Sequence, residues 1–140
     1  MDGWEVESLD GASTEDADTA VGPATVNIGV GLVFDISDTY HMVAANGSRI
    51  VLSNSYTIIG GTKYHWNVQD AGLIINGNVA VTITLTGTPA FSTAFASATT
   101  MGLIDPSNQI TFSGAATGTR YNITANGTIN TQGGGATYLP

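Results

Sequence analysis

One phrase occurs three times in the second half of this 140-residue chain, and it limits the possible folds more than any other feature. Gly72-Leu73-Ile74-Ile75-Asn76-Gly77-Asn78 comes back as Gly102-Leu103-Ile104-Asp105-Pro106-Ser107-Asn108 and again as Gly127-Thr128-Ile129-Asn130-Thr131-Gln132-Gly133, at steps of 30 and 25 residues. A second phrase sets Ile83-Thr84-Leu85-Thr86-Gly87 against Ile110-Thr111-Phe112-Ser113-Gly114, a step of 27. A third sets Gly61-Thr62-Lys63-Tyr64 against Gly118-Thr119-Arg120-Tyr121. Self-similarity at a period of about 20 to 50 residues marks an architecture of stacked units. The units here are short β-branched and apolar runs cut by Gly and Asn, so they predict strands.

The expected fold is all-β: a short right-handed β-helix or solenoid-like coil over residues 25–140, with a jelly-roll-like β-sandwich as the alternative. Recurrence at matching places predicts a buried row of Ile58, Ile74, Ile83, Leu85, Ile104, Ile110, Phe112, Ile123 and Ile129. Upstream, Thr25 to Ser37 alternates as one strand interrupted at Gly31, with Val26, Ile28 and Val30 before it and Leu32, Phe34 and Ile36 after it. Phe91, Ala94, Phe95 and Ala98 fall at helical spacing, but the Ser and Thr between them and the matched flanks favour a rung with a longer side loop. A coil this short has little interior, which predicts that it shares surface with copies of itself as a homotrimer. The threonine face of Val79 to Thr86 offers a flat, uncharged surface for packing or for sugar.

Charge divides the chain in two. Seven of its eleven acidic residues fall before residue 19, and the remainder carries four Asp against Arg49, Lys63 and Arg120. Residues 1–24 therefore read as an extended acidic arm. Trp4, Val6 and Leu9 would be its apolar anchors, and Glu5, Glu7 and Asp10 the charges that meet a basic partner. Clustered Lys and Arg are missing, which argues against nucleic acid. No apolar run reaches the length of a membrane span, and the N-terminus is acidic where a signal peptide is basic and then apolar. Neither a membrane nor a signal peptide is expected.

The residues give little support to catalysis, and no enzyme activity is expected. Glycan cleavage needs paired carboxylates on one face. Asp35 and Asp38 stand three apart, on opposite faces of a strand, while Asp70 and Asp105 occupy different places in the repeat. There is no Cys, and two histidines, His41 and His65, make no metal site by themselves. No catalytic residue, metal ligand or cofactor is assigned. Tyr64, His65 and Trp66 are a candidate glycan contact, although the echo of Lys63-Tyr64 in Arg120-Tyr121 favours a structural role.

The segments Phe112 to Tyr121 and Asn126 to Pro140 resemble the small β-rich structural proteins of tailed bacteriophages and prophages. In that family an Asn-Gly, isoleucine, threonine, glycine-run, aromatic and proline phrase closes the coiled domain. The resemblance covers about residues 57 to 140 and leaves the acidic arm outside it. It implies a virion protein at the capsid surface, a decoration, cement or head-spike protein bound to the major capsid protein or another virion protein. A tail-fibre or receptor-binding module that contacts host surface glycan is the alternative. It supplies no catalytic residues.

Overall fold

The computed structural model describes residues 18–21, 25–107 and 109–140, the first four as backbone only. Among the described residues the chain is all-β, without a helix, and winds as a β-solenoid of about four turns. Each turn adds one strand to each of three parallel sheets. The first sheet stacks β1 (Asp18–Val21), β4 (Tyr40–Ala45), β7 (Thr62–Val68) and β10 (Ala90–Ala98), and β10 then pairs with both β13 (Thr117–Gly118) and β14 (Tyr121–Ile123). The second stacks β2 (Thr25–Asn27), β5 (Arg49–Leu52), β8 (Leu73–Asn76), β11 (Leu103–Asp105) and β15 (Thr128–Ile129). The third stacks β3 (Val33–Phe34), β6 (Tyr56–Ile58), β9 (Val81–Leu85) and β12 (Ile110–Ser113). Asp18–Val21 falls inside the stretch read as the arm, yet it pairs with Met42 to Ala45 as the first strand of the stack.

The glycine phrase marks one corner in each of the later turns. Ile50 pairs with Ile74, Ile74 with Ile104 and Ile104 with Ile129, so the steps of 30 and 25 residues are true rung spacings. Before each of these strands, two successive residues take positive φ: Asn46 and Gly47, Asp70 and Ala71, Thr100 and Met101, Ala125 and Asn126. Non-glycine residues there cost about 1 to 2 kcal/mol each. The cost is offset by hydrogen bonds between successive corners, from Gly47 N to Asp70 O (3.0 Å), Ala71 N to Thr100 O (3.0 Å) and Met101 N to Ala125 O (3.2 Å). Gly72 follows such a corner, and a Cβ on it would strike the Ala44 carbonyl of the coil below. Close approach of backbone, not an unusual φ, is what demands glycine here. In the second coil Ser48 holds this place, with its Oγ accepting the Ala45 N–H at 2.9 Å.

The interior is a column of apolar side chains. Ile58, Ile74, Ile83, Leu85, Ile104 and Ile110 are buried as expected, and Phe112 and Ile129 pack against them partly exposed. Ile123 is 51% exposed. It stands in register with the buried Ala98, but in the last coil, where no described strand covers it. Val30 and Ile36 are also exposed, at 66% and 71%. The segment read as one strand is two, β2 and β3, on different sheets with a corner at Val30-Gly31 between them. Alternation survives only in Val26, Ile28, Leu32 and Phe34.

Two of the pairings read from sequence are shifted. Val81, not Ile83, faces Ile110, and Ile83 faces Phe112. A slip of two residues leaves the inward pattern unchanged, so the register is set instead by the corner. The corner spans nearly the same number of residues from Ile74 to Val81 as from Ile104 to Ile110. In the first sheet, Tyr121 shares its place with Trp66 across Ala96, and Tyr64 stacks with Tyr40 of the preceding coil. The register along β10 is uneven: it shifts against β7 between Phe91 and Ala94, and β10 meets the last coil at Gly118 through Phe91 and at Tyr121 through Ala96. The stretch Ala90–Ala98 is the longest strand, with no helical turn.

Candidate functional site

A buried polar chain links the second coil to the third. Because Tyr40 faces Tyr64 and Met42 faces Trp66, His41 and His65 occupy the same position in adjacent rungs. His41 is 1% exposed and His65 is 0% exposed. Their Nδ1 atoms lie 2.9 Å apart. His41 Nε2 lies 2.7 Å from the Asp35 carbonyl oxygen, His65 Nε2 lies 2.8 Å from the Tyr56 hydroxyl, and Trp66 Nε1 donates to that hydroxyl at 3.1 Å. Aromatic rings enclose the pair. Phe34 stacks on His41 at 5.2 Å, and Phe95 approaches His65 at 4.8 Å.

A carbonyl oxygen only accepts, so the positions of the protons follow from one end. His41 carries its proton on Nε2 and accepts at Nδ1. His65 then donates from Nδ1 and accepts at Nε2 from the Tyr56 O–H, whose oxygen accepts from Trp66. Both rings are neutral in this arrangement and every ring nitrogen has a partner. Burial lowers the pKa of His41 from 6.5 to about 4, against a smaller raising effect of its hydrogen bond to Asp35 and of the Asp35 charge. Burial lowers that of His65 well below its ordinary value, and His41 lowers it further. A chain this deeply covered offers no path to a substrate, so its chemistry is confined to holding or losing its own protons.

His65 and Trp66 are both fully buried, which corrects the expectation of an aromatic platform at Tyr64, His65 and Trp66. Only Tyr64 reaches the surface, half-buried, with its ring stacked on Tyr40 at 5.7 Å and 20°. The sequence pattern misled because inward and outward residues fail to alternate at this point of the rung, where His65 and Trp66 are buried in succession. Trp4, Glu5, Val6, Glu7, Leu9 and Asp10 lie outside the described residues. Asp35 and Asp38 lie in the connection between β3 and β4, not on a strand as expected, while Asp70 is at a corner and Asp105 ends β11. Among the described residues no three His, Cys, Asp or Glu side chains come together as a metal group.

The outer face of the third sheet is a hydroxyl ladder. Val33, Thr57, Thr84 and Ser113 form one column, and Thr82 and Thr111 belong to a second. Ser55 continues the second column, its Oγ accepting the Thr82 N–H at 2.9 Å. Neighbouring hydroxyls are about 4.8 Å apart along the stack and about 6.6 Å apart along a strand. A shallow groove lined by Val33, Ser55, Thr57, Thr82 and Thr84 runs along it. No family model, curated protein or solved structure matches the chain.

Proposed function

We propose that this chain is a virion structural protein, a capsid decoration, cement or head-spike component that stands on its particle by its N-terminal end. The observation that supports this reading is the difference between the two ends of the coil. At the C-terminal end Leu139 is fully buried against the core and Tyr138 packs edge-on to Phe112 at 5.6 Å. At the other end, β1, β2 and β3 are outermost in their sheets, with no described strand beyond them. Unpaired strand edges are templates for another chain. β1 begins in sequence at the last residue of the acidic stretch, which the coil, with three basic residues, is poorly supplied to pair. The resemblance to phage structural proteins gives the setting.

Deleting residues 2–16, which leaves β1 in place, is expected to abolish binding to particles stripped of this protein. The coil should keep its circular dichroism and melting transition. Undiminished binding would overturn the reading. It would leave in its place the second one, a receptor-binding module, which the hydroxyl ladder favours as a flat surface for host glycan.

A homotrimer is part of the same proposal. The faces of the coil are low in charge and its interior is small, so association adds buried area that the single chain lacks. Sedimentation equilibrium is expected to give three times the 14.3 kDa chain mass. A stable monomer at micromolar concentration would remove the trimer from the proposal.

A further inference from the structure

We propose that the His41–His65 pair is an acid-sensitive latch that holds the first two coils to the third and lets them open before the C-terminal coils do. The latch joins four separate pieces of chain: the Asp35 carbonyl beyond β3, His41 on β4, Tyr56 on β6, and His65 with Trp66 on β7. Its hydrogen bonds run in a single direction. A proton added at His41 Nδ1 would point at the N–H already on His65 Nδ1, 2.9 Å away. To accept it, His65 must move its own proton to Nε2, and the Tyr56 hydroxyl must then turn away from that nitrogen. One added proton thus disturbs every bond back to Tyr56.

The surroundings give little compensation for a positive charge. Around the pair, β10 contributes only the rings of Phe91 and Phe95. The third sheet contributes Phe34 and the neutral Tyr56, and β7 contributes Trp66. Among the described residues Asp35 is the one carboxylate that acts on His41, and its effect is smaller than that of burial. No Lys or Arg enters the causes of either shift.

The direction of the effect follows from linkage. In the closed coil both rings are neutral at pH 7 and resist protonation, whereas in an opened segment they titrate near 6.5. As pH falls below 6.5 the open form takes up protons that the closed form does not. Stability of the latched segment is therefore lost with acidification, until His41 itself titrates near pH 4. Each ring freed by opening multiplies the open fraction about tenfold per pH unit, so two rings give about a hundredfold.

The experiment is native-state amide hydrogen exchange between pH 7 and 4.5, corrected for the intrinsic rate, with the full-length chain. Peptides covering residues 34–45 and 56–68 should lose protection tenfold to a hundredfold per pH unit below 6.5, while residues 103–130 lose little. Protection that stays flat with pH, or falls equally in both regions, would overturn the latch. His41→Gln supplies a neutral amide able to donate to the Asp35 carbonyl and accept from His65. It should reduce the dependence to about one tenfold step per unit. An unchanged dependence in this variant would also overturn it. Nitrogen NMR of the wild-type imidazoles at pH 7 reads the same structure without a substitution: Nε2–H on His41 and Nδ1–H on His65 are expected, and the reversed pair would refute the directed chain.

Discussion

Replacing Trp66 by Ala should destabilise the coil by about 3 to 5 kcal/mol, the range for removing a large buried aromatic. The side chain is completely buried and sits at the centre of the aromatic cluster. It lies edge-on to Phe95 at 5.2 Å, with His65 at 5.5 Å and Phe112 at 6.2 Å. Its rung neighbours are Met42 below and Ala96 above, and Ala96 is too small to move into the space left behind. Parallel strands on three sides also limit how far the coil can collapse, so most of the cavity should persist. The indole N–H adds a separate contribution through its hydrogen bond to the Tyr56 hydroxyl. Trp66→Phe keeps much of the ring while removing that N–H, and should cost distinctly less than Trp66→Ala. Urea unfolding with an unchanged slope measures both. A loss below about 1 kcal/mol for Trp66→Ala would mean that the interior is not packed around this residue.

The repeat was legible where backbone geometry demanded a particular residue and obscure where it did not. Gly72, Gly102 and Gly127 recur because a side chain at that place meets the coil beneath, so their spacing reports the rungs directly. The earlier coils repeat as faithfully, at 24 residues from Val26 to Ile50 and from Ile50 to Ile74. They were hidden because Ser48 stands where the glycine would be. Registers in the third sheet could not be read to better than two residues, because inward and outward positions look the same after a two-residue slip. The aromatic segment was obscure for another reason. A run such as Tyr64-His65-Trp66 gives no sign of which side chains point inward, and only tertiary packing shows that His65 finds its partner 24 residues away in His41. The one signal available was that the chain's two histidines are separated by the 24-residue step of the early coils. That signal can be used only once the step is known.

Leu139→Ala is expected to cost about 2 to 5 kcal/mol, as large an effect as a substitution in the middle of the stack, although it lies one residue from the C-terminus. Tyr138-Leu139-Pro140 turns back across the open end of the coil. Leu139 is fully buried, its N–H donates to the Tyr121 hydroxyl at 3.2 Å, and its carbonyl accepts from Arg120 Nε at 2.8 Å. The Tyr138 hydroxyl lies 2.8 Å from the Ser107 carbonyl and 2.9 Å from that of Ile110, sharing one proton between them. These bonds fix the cap over Phe112 and the last described rung. The loss has a ceiling that a central residue lacks. A weakened cap can undock and recover the conformational entropy of its few residues, so no substitution in it can cost more than undocking does. Tyr138→Ala combined with Leu139→Ala should therefore fall short of the sum of the two single losses by 1 kcal/mol or more. Strict additivity in urea unfolding would show that the segment does not act as one unit. Undocking would also bare Phe112 and the partly exposed edges of β12 and β14, so the double variant should associate at concentrations where the parent does not.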